Sequence, residues 1–90
     1  MLDEENGFYY KGEEKIDLTP LELKLLSFFI ERKEKIIPYQ NIVLYIYGQY
    51  NEKTMRSARQ VIHKINKKMK GELILFSKNA IGYRLVYLGK

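Results

Sequence analysis

The chain of 90 residues contains no cysteine and no tryptophan, only one histidine (His63) and only two prolines (Pro20 and Pro38). Without cysteine there is no disulfide framework, no thiolate nucleophile and no thiolate zinc site, and a lone histidine cannot build a metal centre. No stretch approaches the ~18 to 20 uninterrupted apolar residues that a membrane span requires. The N-terminus, Met1-Leu2-Asp3-Glu4-Glu5, is acidic where a secretory signal would be basic and then apolar. These absences make a cytoplasmic protein the expectation. No carboxylate pair, Ser/His/Asp set or phosphate-cradling glycine loop is visible either, so the chain is expected not to be an enzyme and to need no cofactor.

What the chain does contain is enough apolar material, 46% of residues, for one modest core. A chain this short buries roughly 60 to 65% of its unfolded surface, and one domain over residues 1–90 is expected. There is no linker, repeat or low-complexity tract. The net charge of +5 is unevenly spread: residues 1–22 carry −5, residues 23–52 carry +1 and residues 53–90 carry +9. Like charge crowded into one part of a chain costs self-repulsion, which a polyanionic partner offsets, so nucleic acid or an anionic surface leads the candidates. The plain alternative is a lysine-rich helix that is merely solvated.

Phe8-Tyr9-Tyr10 and Lys15-Ile16-Asp17-Leu18 flank a turn containing Gly12, which predicts two short antiparallel strands, with Met1 to Glu4 as a candidate third. Thr19-Pro20-Leu21-Glu22 then combines an N-cap threonine, a proline at the first helical position and a glutamate at the third, a reciprocal capping box. In the helix that starts there, Leu21, Leu25, Leu26, Phe28 and Phe29 form the apolar face, and Glu22, Lys24, Glu31 and Arg32 the wetted one. Ile36-Ile37 reads as an extended lead into a second helix, with Pro38 in its first turn, Ile42, Val43 and Ile46 buried, and Gly48 as a left-handed cap. A third helix is predicted from about Thr54 to Lys70, ended by Gly71. The aliphatic and aromatic runs Leu73 to Phe76 and Gly82 to Tyr87, separated by Ser77-Lys78-Asn79-Ala80, predict a C-terminal hairpin.

Ala58, Ile62, Ile65 and Met69 fall on one stripe of the third helix. At about 100° per residue the opposite direction is occupied by Lys53, Arg56, Gln60, His63, Lys64 and Lys67, with Ser57 at the flank and no acid among them. A helix about 10 to 12 Å across fits the roughly 12 Å major groove, and Gln, Lys and Arg can reach base edges or phosphates there. His63 alone is more readily an ordinary exposed polar residue than a catalyst or ligand.

Leu18-Thr19-Pro20-Leu21-Glu22-Leu23-Lys24-Leu25-Leu26, Ile42 to Gly48, Arg56-Ser57 with Ile62 to Met69, and Ile81-Gly82-Tyr83-Arg84-Leu85 occur in that order with short spacers. Together they resemble the OmpR/PhoB-type winged-helix DNA-binding domain of bacterial response regulators, over nearly the whole chain. The resemblance implies an α+β winged helix-turn-helix: a small N-terminal antiparallel sheet (1–18), three helices (19–71) and a C-terminal β-hairpin wing (72–88). It implies sequence-specific binding of double-stranded DNA in transcription regulation, with the recognition helix over 54–70 in the major groove and the wing at the adjacent minor groove. Arg56 and Ser57 match phosphate contacts, His63 and Lys64 match a pair that reaches bases, and Lys67 and Lys68 extend the basic end. Lys78, Asn79 and Tyr83 are the contacts expected from the wing. The loop from Gly48 to Lys53 corresponds to one that faces RNA polymerase in activators, and a dimer on DNA is a further expectation.

The chain also departs from the family pattern. Tyr47 stands where tryptophan is usual, Ala80 where the wing motif has its first glycine, Asn79 where an arginine precedes it, and Asn66 at a position often arginine. No receiver domain precedes the module, which leaves an excised effector domain and a free-standing regulator as alternatives. A second functional reading is a winged helix for protein interaction, in which the Tyr45, Tyr47 and Tyr50 region and the acidic N-terminal sheet meet partner subunits.

Overall fold

The structure, a computed structural model, describes residues 1–88; residues 89 and 90, part of the expected domain, lie outside them. The chain opens with three short strands, β1 (Leu2–Asp3), β2 (Phe8–Lys11) and β3 (Glu14–Asp17), paired antiparallel in that order. Tyr9 turns inward from β2 and is 3% exposed, with Leu2, Ile16 and Leu18 packed beside it. Helix α1 (Pro20–Glu31) begins at the expected capping box: the Glu22 N–H donates to Thr19 Oγ1 at 3.2 Å, and the Thr19 N–H donates to Glu22 Oε1 at 2.9 Å.

Two assignments on α1 are reversed. Leu21, expected in the core, is 37% exposed, whereas Glu22, expected on the wetted side, is 2% exposed. Glu22 is buried because its capping carboxylate lies where α1 meets the end of the third helix and is paired there with Lys68.

Strand β4 (Ile37–Pro38) leads directly into α2 (Tyr39–Tyr47). Pro38 stands one position ahead of the expected first turn, as the N-cap, since its extended backbone is still paired in a sheet. Ile42, Val43 and Ile46 are buried, and Gly48 closes α2 at φ 73 with its N–H on the Leu44 carbonyl. Helix α3 (Glu52–Lys68) starts two residues earlier than the sequence predicts, because Asn51 caps it: the Thr54 N–H donates to Asn51 Oδ1 at 3.0 Å, and the Asn51 N–H to Thr54 Oγ1 at 3.0 Å.

Strands β5 (Leu73–Lys78) and β6 (Gly82–Tyr87) form the hairpin, and β4 adds to the far side of β6, giving the order β4-β6-β5. Gly82 is obligatory for this third strand: a Cβ there would lie 1.9 Å from the Ile37 carbonyl oxygen. The crowding comes from β4, whose Ile37 and Pro38 backbone lies against Gly82. The core joins Leu25, Leu26 and Phe29 of α1 to Ile42 and Val43 of α2, Ile62 and Ile65 of α3, and Leu73, Leu75 and Leu85 of the hairpin. Among the described residues, no helix is long and apolar enough to cross a membrane.

Candidate nucleic-acid interface

Helix α3 is held from three sides, packing on α1, α2 and β5. Ala58, Val61, Ile62, Ile65 and the following Met69 are buried, so its rotation about its own axis is determined by apolar contact. Val61, absent from the expected stripe, widens the buried face. Asn66 locks the helix to the hairpin by accepting the Leu75 N–H at 2.8 Å and donating to the Leu75 carbonyl at 3.2 Å. The position often filled by arginine is therefore a structural pin here.

With that rotation set, Lys53, Arg56, Gln60, His63, Lys64 and Lys67 are all exposed and Ser57 is half-buried at the flank. Among the described residues none of these seven side chains has a hydrogen-bonded or ion-paired partner within the chain, and no acid interrupts the face. The cations keep their donors free for an outside acceptor.

Lys68 does not belong to this set. Its ammonium donates to Glu22 Oε1 at 2.5 Å and to the Asp17 carbonyl at 2.9 Å. The cause is angular: at about 100° per residue Lys68 lies only about 60° from Ile65, on the shoulder of the buried stripe facing α1. Burial pushes the Glu22 carboxyl up, but the hydrogen bonds from Lys68 and from the Thr19 N–H outweigh it and hold the group below its ordinary value. The pair ties the end of α3 to the start of α1. Nearby, Lys11 Nζ donates to the Lys70 carbonyl and the Tyr9 hydroxyl to Glu72 Oε2, both fastening the N-terminal sheet to the turn between α3 and Leu73.

The wing ends in a turn in which the Ile81 N–H donates to the Lys78 carbonyl at 2.9 Å, with Asn79 at φ 50 and Ala80 at φ 59. Two consecutive positive φ values mark a type I′ geometry, which asparagine accepts and which strains alanine. Lys78 and Asn79 are exposed at this tip, while Tyr83 is half-buried further down β6, tilted against Tyr39 with ring centroids 6.0 Å apart. Tyr83 lies opposite Ser77, one ladder step from the turn, and lines the α3-facing cleft together with Ala80, while Lys78 and Asn79 stand at the tip beyond it.

One exposed cation of α3 escaped the sequence projection. Arg59 lies on the side of the outer face nearest the hairpin, its guanidinium 5.2 Å from the centroid of the Tyr39 ring. Extending the acid-free arc by one residue toward Asn66 would have found it. Of the expected tyrosine cluster, Tyr45 of α2 stacks on Phe28 at 4.2 Å and has the Lys24 ammonium 5.1 Å from its ring centroid, and both it and Tyr50, in the loop before α3, are exposed. Among the described residues, no cluster of three or more His, Asp or Glu side chains could hold a metal ion.

A three-helix unit with an outward basic helix, flanked by a three-stranded sheet that ends in a hairpin, defines a winged-helix domain. Residues 12–85 match the family described as the C-terminal domain of transcriptional regulatory proteins, and the chain belongs to that family. Among solved structures it is similar to the DNA-binding domain of the response regulator AdeR, solved in complex with an intercistronic region. The TM-score is 0.77 at 21% identity, over 97% of this chain and 93% of that one. It is also similar to the DNA-binding domain of Bacillus subtilis CssR, with a TM-score of 0.74 at 28% identity, over 87% of this chain and 88% of that one. A search of curated proteins found no significant match. The family is one of transcriptional regulators, not of enzymes.

Proposed function

We propose that residues 1–90 act as a single effector domain of a response-regulator-type transcription regulator, binding duplex DNA in the cytoplasm with α3 in the major groove. The observation that carries this reading is the outer face of α3, where exposed cations and hydrogen-bonding side chains stand without an internal partner and without an acid. In this arrangement Arg56, Ser57, Lys53 and Lys67 hold phosphates and set the register, and Gln60, His63 and Lys64 address base edges. Lys78 and Asn79 form a weaker arm at the minor groove, with Tyr83 behind them. Lys68 is left out of the contact set, since its ammonium is committed to Glu22. The AdeR domain, which shares this fold, is a DNA-binding domain solved in complex with an intercistronic region, which supports DNA as the partner.

Two finer assignments belong to the proposal. The exposed loop Gly48 to Lys53, with Tyr50 at its centre, is the surface offered to RNA polymerase, and two copies assemble on one DNA site as a dimer. Selection of bound duplexes from a random pool tests the central statement. Enrichment of a defined motif is expected, and recovery of an unenriched pool would remove sequence specificity.

A further inference from the structure

The cleft between α3 and the β5–β6 hairpin is concave, basic and lined without a carboxylate. Arg59 borders two adjoining cavities in it. One, of about 180 Å³, is shared with Tyr39, Ser77 and Tyr83, and the other, of about 350 Å³, with His63 and Phe76 along its wall. The Arg59 guanidinium stands 5.2 Å over the centroid of the Tyr39 ring, within reach of cation–π attraction, and the side chain is exposed. Tyr39 is itself anchored, its hydroxyl donating to the Met55 carbonyl one turn before Arg59 on α3. Among the described residues Arg59 has no acidic partner. An unpaired guanidinium braced beside a ring favours an acceptor that takes two parallel hydrogen bonds, the geometry of a phosphate diester or a carboxylate.

Duplex geometry chooses between them. When a helix occupies the major groove and the neighbouring hairpin reaches the adjacent minor groove, the sugar–phosphate backbone that separates those grooves must cross the cleft between helix and hairpin. We propose that Arg59, braced on Tyr39, grips a phosphodiester of that crossing strand, with the Ser77 hydroxyl as a second donor and the exposed Phe76 ring beside the adjoining sugar. This inference rests on the DNA-binding reading. Arg59 acts there as a sequence-independent clamp that sets how deeply the domain seats on the duplex.

Salt titrations of the intact chain on a selected duplex and on a random one, with wild type, Arg59→Ala and Arg59→Lys, give the test. Arg59→Ala should make the logarithmic salt slope shallower by about 0.9, the value for one phosphate contact. It should weaken both duplexes by the same factor, and Arg59→Lys, which keeps the charge without the fork, should fall between. Neutral methylphosphonate placed at single positions of the selected duplex should reveal one position where wild type is weakened and Arg59→Ala loses nothing further. Wild-type slope and affinity in Arg59→Ala overturn the clamp while leaving DNA binding intact, as does a melting-temperature loss without a change in slope, which would assign Arg59 to packing on Tyr39. A loss confined to one base pair overturns it in favour of base reading. Competition by inorganic phosphate beyond that of chloride at equal ionic strength, abolished in Arg59→Ala, overturns it in favour of a free-phosphate site. Absence of any wild-type binding to duplex at low salt removes the DNA-binding reading itself, and the clamp with it.

Discussion

Lys64 and Lys68 are the same residue on the same helix, one turn apart, and they do opposite work. Lys64 extends from the outer face of α3 with no partner among the described residues, whereas Lys68 closes on the buried Glu22 carboxylate and the Asp17 carbonyl. Four residues at about 100° each leave the two side chains only about 40° apart around the axis, and that step separates a cation available to a polyanion from one that joins two helices. Net charge therefore overstates the binding surface of this domain: the basic C-terminal part includes an internal tie, and the acidic N-terminal part supplies its counter-charge. Function and stability are expected to separate along the same line.

The largest effect should come from the face that orients all these lysines. Ile62→Ala, at a position 3% exposed, should destabilise the domain by roughly 2 to 5 kcal/mol through lost burial and a residual cavity, while Gln60→Ala on the opposite side stays near neutral. Chemical denaturation of both variants measures this, and the reverse order would mean that α3 is rotated differently.

The two lysines come next. Lys68→Ala should cost roughly 1.5 to 3 kcal/mol of stability, because it leaves a buried carboxylate with only its capping hydrogen bonds, and Lys64→Ala less than about 0.5. The pH dependence should carry the same signature. The folded-state carboxyl of Glu22 lies below its ordinary value, so its contribution is fully present above about pH 4.3, the unfolded value, and is lost as pH falls through the folded one. Melting temperature against pH should fall less steeply on the acid side in Glu22→Gln than in wild type; identical acid limbs would show that the pair contributes nothing.

In binding assays the ranking should invert. Lys64→Ala should cost roughly 1 to 3 kcal/mol at the preferred site and relax base preference there, whereas Arg56→Ala should weaken all duplexes alike. Equal losses for Lys64→Ala on specific and random duplexes would move that residue from reading to positioning. The smallest effect lies in the wing: Ala80→Gly relieves a left-handed alanine and should stabilise by about 0.5 to 1 kcal/mol in thermal melts, less the added freedom of the unfolded chain. No gain would mean that the turn relaxes at no cost.

The elements themselves were legible in the sequence wherever a local signal existed. Thr19-Pro20 with Glu22, Gly48 at the end of α2, and the 4-3-4 spacing from Ala58 to Met69 each act within a few residues, and each is found where expected. The start of α3 was misplaced because Asn51 caps through Thr54, which reads equally well as the first helical residue. Partners distant in sequence were not legible at all. Glu22 and Lys68 are separated by 46 positions, and nothing near Glu22 distinguishes a wetted glutamate from one that meets a lysine across the core. Arg59 was passed over for a related reason, since only the packing of Tyr39 and the hairpin turns that flank of α3 into a cleft.

The central claim, that the outer face of α3 is a phosphate- and base-contacting surface, is tested most directly by the affinity for duplex DNA as a function of salt. Binding should weaken steeply as salt rises, with a logarithmic slope of about −0.9 for each phosphate contacted, and removing Arg56 or Lys67 should reduce the slope while removing Lys68 should not. A folded domain with no measurable affinity for duplex DNA at low salt would contradict the account.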